Sequence, residues 1–196
     1  MAVAAVLFAT TCDVGASGRA TYPGADSSKD PTGRWSIEYR EPTPGSPHRL
    51  FLKDIKSGRV STLLEFNRHV ECLWSPDGDA LAITDYGDSN GSSVVVFRSR
   101  QPAKPIDVEQ SLLAQIGRIP SLYENGHRYF EAFRWLATDK LEFRVHAHDA
   151  GPGEEYRGVF EFDLRTGKVR QAGKSAASNP RLQRPALRAA AEPLSR

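Results

Sequence analysis

Hydrophobic and polar residues alternate through much of this 196-residue chain. Trp35, Ile37 and Tyr39 fall on one face of a short segment, with Arg34, Ser36, Glu38 and Arg40 on the other. Leu141, Phe143, Val145 and Ala147 alternate in the same way with Glu142, Arg144, His146 and His148, and Phe160, Phe162 and Leu164 alternate with Glu161 and Asp163. A period of two predicts antiparallel strands with one buried and one wet face. One stretch departs from it. Val108, Leu112 and Ile116 recur at helical spacing, Asp107 can cap the start with Gln110 three residues on, and Gly117 can end the turn. This predicts one helix inserted between strands, packed on an edge or end of the sheets.

The strands belong to repeats. LFLKDIKSGRV (50–60) and VFEFDLRTGKV (159–169) align without a gap, Phe51 with Phe160, Asp54 with Asp163, Ile55 with Leu164 and Gly58 with Gly167. Each reads as a strand leaving the sheet through an Asp-x-x-x-Gly turn, the glycine supplying positive φ. An opening turn before a hydrophobic strand recurs in KDPTGRWSI, SPDGDALAI and LATDKLEFRV, and strands ending near Trp74 and Trp135 precede the last two. The pieces group into three units of four short strands, near 31–66, 69–108 and 129–171.

The middle opening turn, LWSPDGDALAI, resembles the WSPDG signature of TolB-like (PD40) β-propeller blades. The two Asp-x-x-x-Gly segments resemble the strand and turn that close such blades. The third unit departs, because Ala137-Thr138-Asp139-Lys140 has neither Pro nor Gly. The resemblance implies an all-β fold, a partial β-propeller-like stack of about three four-stranded antiparallel units with one inserted helix. Closed propellers hold about 4–8 blades. Three units leave an open stack, a ring completed by two chains, or a sandwich, and the open stack is favoured. Its sheet ends are expected to expose apolar faces that need the helix, a protein partner or self-association as cover.

Charge excludes one class of partner. The formal net charge is +2, but five basic residues and one acid lie beyond residue 170, leaving 21 basic and 23 acidic residues before them. The basic balance comes from the tail, which argues against a nucleic-acid groove. Residues 1–30 read as a signal-like segment and flexible spacer, 31–171 as the β-repeat domain and 172–196 as a disordered basic tail. Ala2–Ala9 resemble the apolar core of a secretory signal, although Arg19 is the first basic residue. Cys12 is a candidate for lipidation, with Thr11 and Ala9 departing from the usual bacterial lipoprotein pattern. Cys72 alternates with Val70 and Trp74 and reads as a buried thiol, with a Cys12–Cys72 disulfide as the other option. Export to the periplasm or outer envelope is expected, with membrane attachment only through a lipid on Cys12.

Candidate chemistry is sparse. His146 and His148 share the wet face of a strand, before Asp149, at a spacing that suits a metal once a third ligand is supplied. Asp85, Asp88 and Asn90 beside Gly91 partly resemble a calcium loop, without its bidentate glutamate. Asp77 reads as a turn residue, and Trp35, Trp74 and Trp135 as core. The sequence has no GxSxG, GxxxxGK[ST] or HExxH motif, and no cofactor is expected. The preferred reading is a non-catalytic, exported protein-binding module. The alternative is a metal-dependent hydrolase using His146 and His148 or the Asp85–Asp88 loop.

Overall fold

A computed structural model describes residues 19–41, 43, 46–116, 126–148 and 155–172. The strands are β1 (Arg19–Tyr22), β2 (Ser27–Lys29), β3 (Trp35–Arg40), β4 (His48–Asp54), β5 (Val60–Phe66), β6 (Val70–Trp74), β7 (Ala80–Asp85), β8 (Gly91–Arg98) and β9 (Gln101–Asp107). The helix α1 (Val108–Ile116) follows, then β10 (His127–Ala137), β11 (Lys140–His148), β12 (Glu155–Asp163) and β13 (Lys168–Gln171).

Three antiparallel meanders of four strands emerge. β2–β5 form the first blade and a separate sheet. β6–β9 and β10–β13 form the second and third blades. These two are joined. The first residues of β8 pair in parallel with β10, at Gly91–Arg128 and Ser92–Tyr129, while its later residues pair with β9. The chain is therefore all-β, a partial propeller-type stack in which two blades share one ladder.

The middle blade is buried on both faces. Val70, Cys72, Trp74, Leu81, Ile83 and Phe97 pack against Tyr22, Trp35, Ile37, Leu50, Leu52 and Phe66 of the opening segment and first blade. Leu73, Ala80, Ala82, Val94 and Val96 pack against Phe130, Phe143, Phe160, Phe162 and Trp135 of the third. A strand covered on both sides needs no polar face, which is why Ala80–Thr84 are all buried. Polar ties cross the second joint. Trp135 Nε1 donates to Leu73 O at 3.0 Å, and Ala132 N to Thr84 Oγ1 at 3.0 Å.

Val108 and Leu112 of α1 are fully buried in the second core, and Gln110 N donates to the Asp107 cap at 2.9 Å. Ile116, assigned by its spacing to the same stripe, is 45% exposed. The helix covers an edge. Gln115 accepts from Val169 N at 2.9 Å and donates to Gly167 O at 3.0 Å, so its amide occupies the outer rim of β13. Gly117 lies outside the described residues.

Two expectations are corrected. Residues 19–30, assigned to a spacer, supply β1 and β2. Ala20 and Tyr22 alternate with exposed Arg19 and Thr21, a short period-two signal hidden in Gly- and Ser-rich sequence, and Tyr22 is fully buried with its hydroxyl 2.9 Å from Ser28 Oγ. The sheet ends are also not apolar. The outer face of the first blade pairs Lys53 with Glu38 and Arg49 with Glu65, each at 2.8 Å. The third blade's outer face pairs Arg134 with Glu142 at 3.1 Å and lays the Arg144 guanidinium 3.3 Å from the Phe133 ring centroid.

Candidate functional site

The opening turns lie together at one end of the stack and share a frame. Asp30 N donates to Trp35 O at 3.0 Å and Gly33 N to Asp30 O at 3.0 Å; Ser75 N donates to Ala80 O at 2.8 Å and Gly78 N to Ser75 O at 2.9 Å. Gly33 and Gly78 have φ of 71° and 69°. Side chains repeat as well: Trp35 N donates to Asp30 Oδ1 at 2.7 Å, and Ala80 N to Ser75 Oγ at 2.9 Å. Asp77 Oδ1 accepts from Ser75 Oγ at 2.7 Å and Asp79 N at 3.1 Å, so this carboxylate is engaged within its own turn.

One position in the frame breaks the pattern. The carbonyls of Arg34, Asp79 and Asp139 accept from Ile55 N, Ser99 N and Leu164 N at 2.9, 3.0 and 2.8 Å. This aligns Arg34, Asp79 and Asp139, and also Lys56, Arg100 and Arg165, the residues after each donor. In the second and third blades an acid faces a cation: Asp79 and Arg100 lie 3.9 Å apart, Asp139 and Arg165 3.7 Å. In the first blade the acid is replaced by Arg34. Its guanidinium reaches the second blade, donating to Asp79 Oδ1 at 2.9 Å and Asp77 O at 2.6 Å.

An open depression of about 470 Å³ lies between Arg34, Trp35, the Asp54–Arg59 turn and Arg100. Asp54 Oδ1 accepts from Lys56 N at 3.0 Å and Ser57 N at 3.1 Å. The hydrogen bonds from Ser57, more than the nearby Arg59 charge, hold this carboxyl below the ordinary carboxylate range. Trp35 Nε1 is buried there without a hydrogen-bond partner. The signal for this site was present in the repeat, since DPTGRW (30–35) aligned on SPDGDA (75–80) places Arg34 over Asp79.

The other candidates lie at the opposite end. His146 and His148 stand on the outer face of β11, and the β10–β11 register places His127 opposite His148. The rings of His127 and His148 stack 4.7 Å apart at 8°, and those of His146 and His148 lie 5.3 Å apart. His146 Nε2 lies 2.8 Å from Glu155 Oε1, and hydrogen bonds from Arg157 and then His146 hold the Glu155 carboxyl low. His127 was not anticipated, because its neighbour is set by hairpin register over twenty residues. Asp149 and Cys12 lie outside the described residues. Asp88 Oδ1 accepts from Asn90 N at 2.6 Å, and Asp85 Oδ1 is buried without a partner. Burial pushes the Asp85 carboxyl up against the pull of His69. Among the described residues, no group of three or more His, Cys, Asp or Glu side chains is placed to hold a metal ion. Cys72 is a free thiol in the core, its pKa raised by burial.

The fold defines the class: an all-β stack of propeller-type blades. No protein-family model and no curated protein matches the sequence. Solved structures similar to this chain include the following three. A putative TolB from Agrobacterium tumefaciens is 15% identical, with a TM-score of 0.38 over 73% of this chain and 46% of its own. TolB from Acinetobacter baumannii is 12% identical, with a TM-score of 0.32 over 72% and 41%. A prolyl endopeptidase is 10% identical, with a TM-score of 0.31 over 78% and 28%. The chain spans less than half the length of each.

Proposed function

We propose that this chain is a non-catalytic protein-binding module of the bacterial cell envelope, exported, with Cys12 as its candidate lipid attachment point. One observation supports the reading above others. The apolar faces of the three blades meet inside the stack, so the turn end presents charged side chains from a fixed frame around a concave surface. Such a surface positions side chains for recognition, and no step of a reaction is needed to account for it.

The test is a pull-down from envelope extract with the full chain, together with light scattering over a range of concentrations. A specific partner recovered at stoichiometric yield is the expected result. Failure to recover one, with a monomer at every concentration, overturns the reading. Metal analysis addresses the hydrolase alternative: bound calcium or zinc at one per chain, with a raised melting temperature, would replace the binding reading with that one. Fractionation of wild type and Cys12→Ala tests attachment, the wild type being expected with membranes and the variant in the soluble envelope fraction.

A further inference from the structure

We infer that the depression at the turn end of the first blade binds acidic side chains of a partner polypeptide, with Lys56, Arg59 and Arg100 as the contacting cations. The inference deepens the protein-binding reading above and rests on it.

The argument starts from the broken repeat. Asp79 and Asp139 each lie near the cation of their own closing turn, Arg100 and Arg165. Arg34 stands at the equivalent position in the first blade and turns away to Asp79, so Lys56 has lost the carboxylate that its counterparts keep. Among the described residues neither Lys56 nor Arg59 makes a side-chain hydrogen bond or close ion pair. The two carboxylates nearby are already engaged. Asp54 Oδ1 is held by the Lys56 and Ser57 amides, and Asp79 is held by Arg34 at 2.9 Å. Arg100 lies farther from Asp79, at 3.9 Å, with its side chain 72% exposed. The concavity is lined by Arg34, Lys56, Arg59 and Arg100 against the single carboxylate of Asp54, and Arg34 is already paired with Asp79, so positive charge is in excess where an incoming anion would sit.

Two features identify the anion as part of a polypeptide. Ile55 and Val60 flank the same turn, each 40% exposed, so apolar contacts adjoin the charged ones. The third blade also shows how an equivalent turn is covered. There Gln115 of α1 bonds Gly167 O and Val169 N, the groups that align with Gly58 O and Val60 N. The chain's own segment seats a planar side chain on one closing turn, while the first blade's turn has no described segment over it. A glutamate carboxylate is acceptor-only, so it matches the half of that seat in which the Gln115 oxygen accepts from Val169 N, at Val60 N, and its charge is met by Lys56 and Arg59 rather than by Gly58 O.

The test titrates the full chain with a blocked peptide alternating glutamate and leucine, and with its glutamine counterpart. Glutamate-peptide binding is expected to weaken in high salt and to fall by roughly tenfold in Lys56→Glu/Arg59→Glu, the scale of losing close charge pairs at an interface. Arg165→Glu on the third blade is expected to bind as wild type does. All these positions are exposed, and unchanged melting verifies the fold. Equal binding of the glutamine peptide, an equal loss in Arg165→Glu, or full competition by millimolar inorganic phosphate overturns the inference. No binding of the glutamate peptide overturns it too. If an envelope partner is captured equally by wild type and by the Lys56→Glu/Arg59→Glu variant, the protein-binding reading stands and this site falls. If none is captured while the peptide still binds, the reverse holds.

Discussion

Asp30 of the first blade lies directly over Gly78 of the second: a Cβ added to Gly78 would stand 2.0 Å from Asp30 Oδ2. The two opening turns are thus packed turn on turn, and Asp30 is only 4% exposed. Gly78→Ala is expected to cost about 1–2 kcal/mol for the left-handed backbone and roughly 1–3 kcal/mol more for the overlap. Gly58 has φ of 72° with nothing within 4 Å of an added Cβ, so Gly58→Ala is expected to cost only the first part. Urea unfolding of both variants checks the difference, and equal losses would mean that the turns do not touch in solution.

Thr84 links the second and third blades by accepting from Ala132 N within the core. Thr84→Val keeps the shape and leaves that amide without an acceptor. The expected loss is about 1–3 kcal/mol, read from the denaturation midpoint. Hydrogen exchange at Ala132 is expected to speed up more than at Phe143.

Acid stability follows from carboxyls with opposite shifts. Asp54 and Asp163 are held low by the backbone amides of their turns, led by Ser57 and Thr166. Such groups contribute stability above the unfolded carboxylate pKa of about 4 and lose it as pH falls through the lower folded value. Asp85 and Glu109, raised by burial, act in the opposite sense: folding disfavours their ionisation, so stability falls as pH rises above about 4. Asp85→Asn is therefore expected to melt above wild type at pH 7, while Asp54→Asn/Asp163→Asn is expected to melt below it there and to show a shallower acid decline. Melting curves from pH 2 to 8 check both signs.

Cys72 is fully buried and its thiol is pushed up by burial, away from the reactive thiolate. In a Cys12→Ser background, alkylation of Cys72 is expected only at the rate of unfolding. Rapid labelling of the native chain would show that the interface between the first and second blades opens readily.

Period two made the blades legible, because each outer blade has one wet face. Trp35, Trp74 and Trp135 are 8%, 1% and 7% exposed, on the faces their alternation assigned. Pairing between blades was not legible. The contact of β8 with β10 covers only two residue pairs across the segment that contains α1, and no periodicity records it. β1 was missed because four residues are too few to stand out from a Gly- and Ser-rich stretch. The charged outer faces were written in the sequence as Glu38, Arg49, Lys53 and Glu65, yet their cross-strand pairing depends on register. At the candidate site the repeat itself held the signal, since Arg34 stands out only when its aligned partners are known to be acids.

The pairing of β1 with β6 has a topological consequence. Residues 23–69 leave the large sheet at Tyr22 and return to it at Val70, opposite one another in the register. The first blade is thus a loop tied at its base, without a covalent cross-link. Should it come loose from the second blade, its ends stay together, so the freed chain gains less entropy than a dangling segment would. Arg19 strengthens the knot by donating to Ala132 O at 2.8 Å and Phe133 O at 3.0 Å in β10.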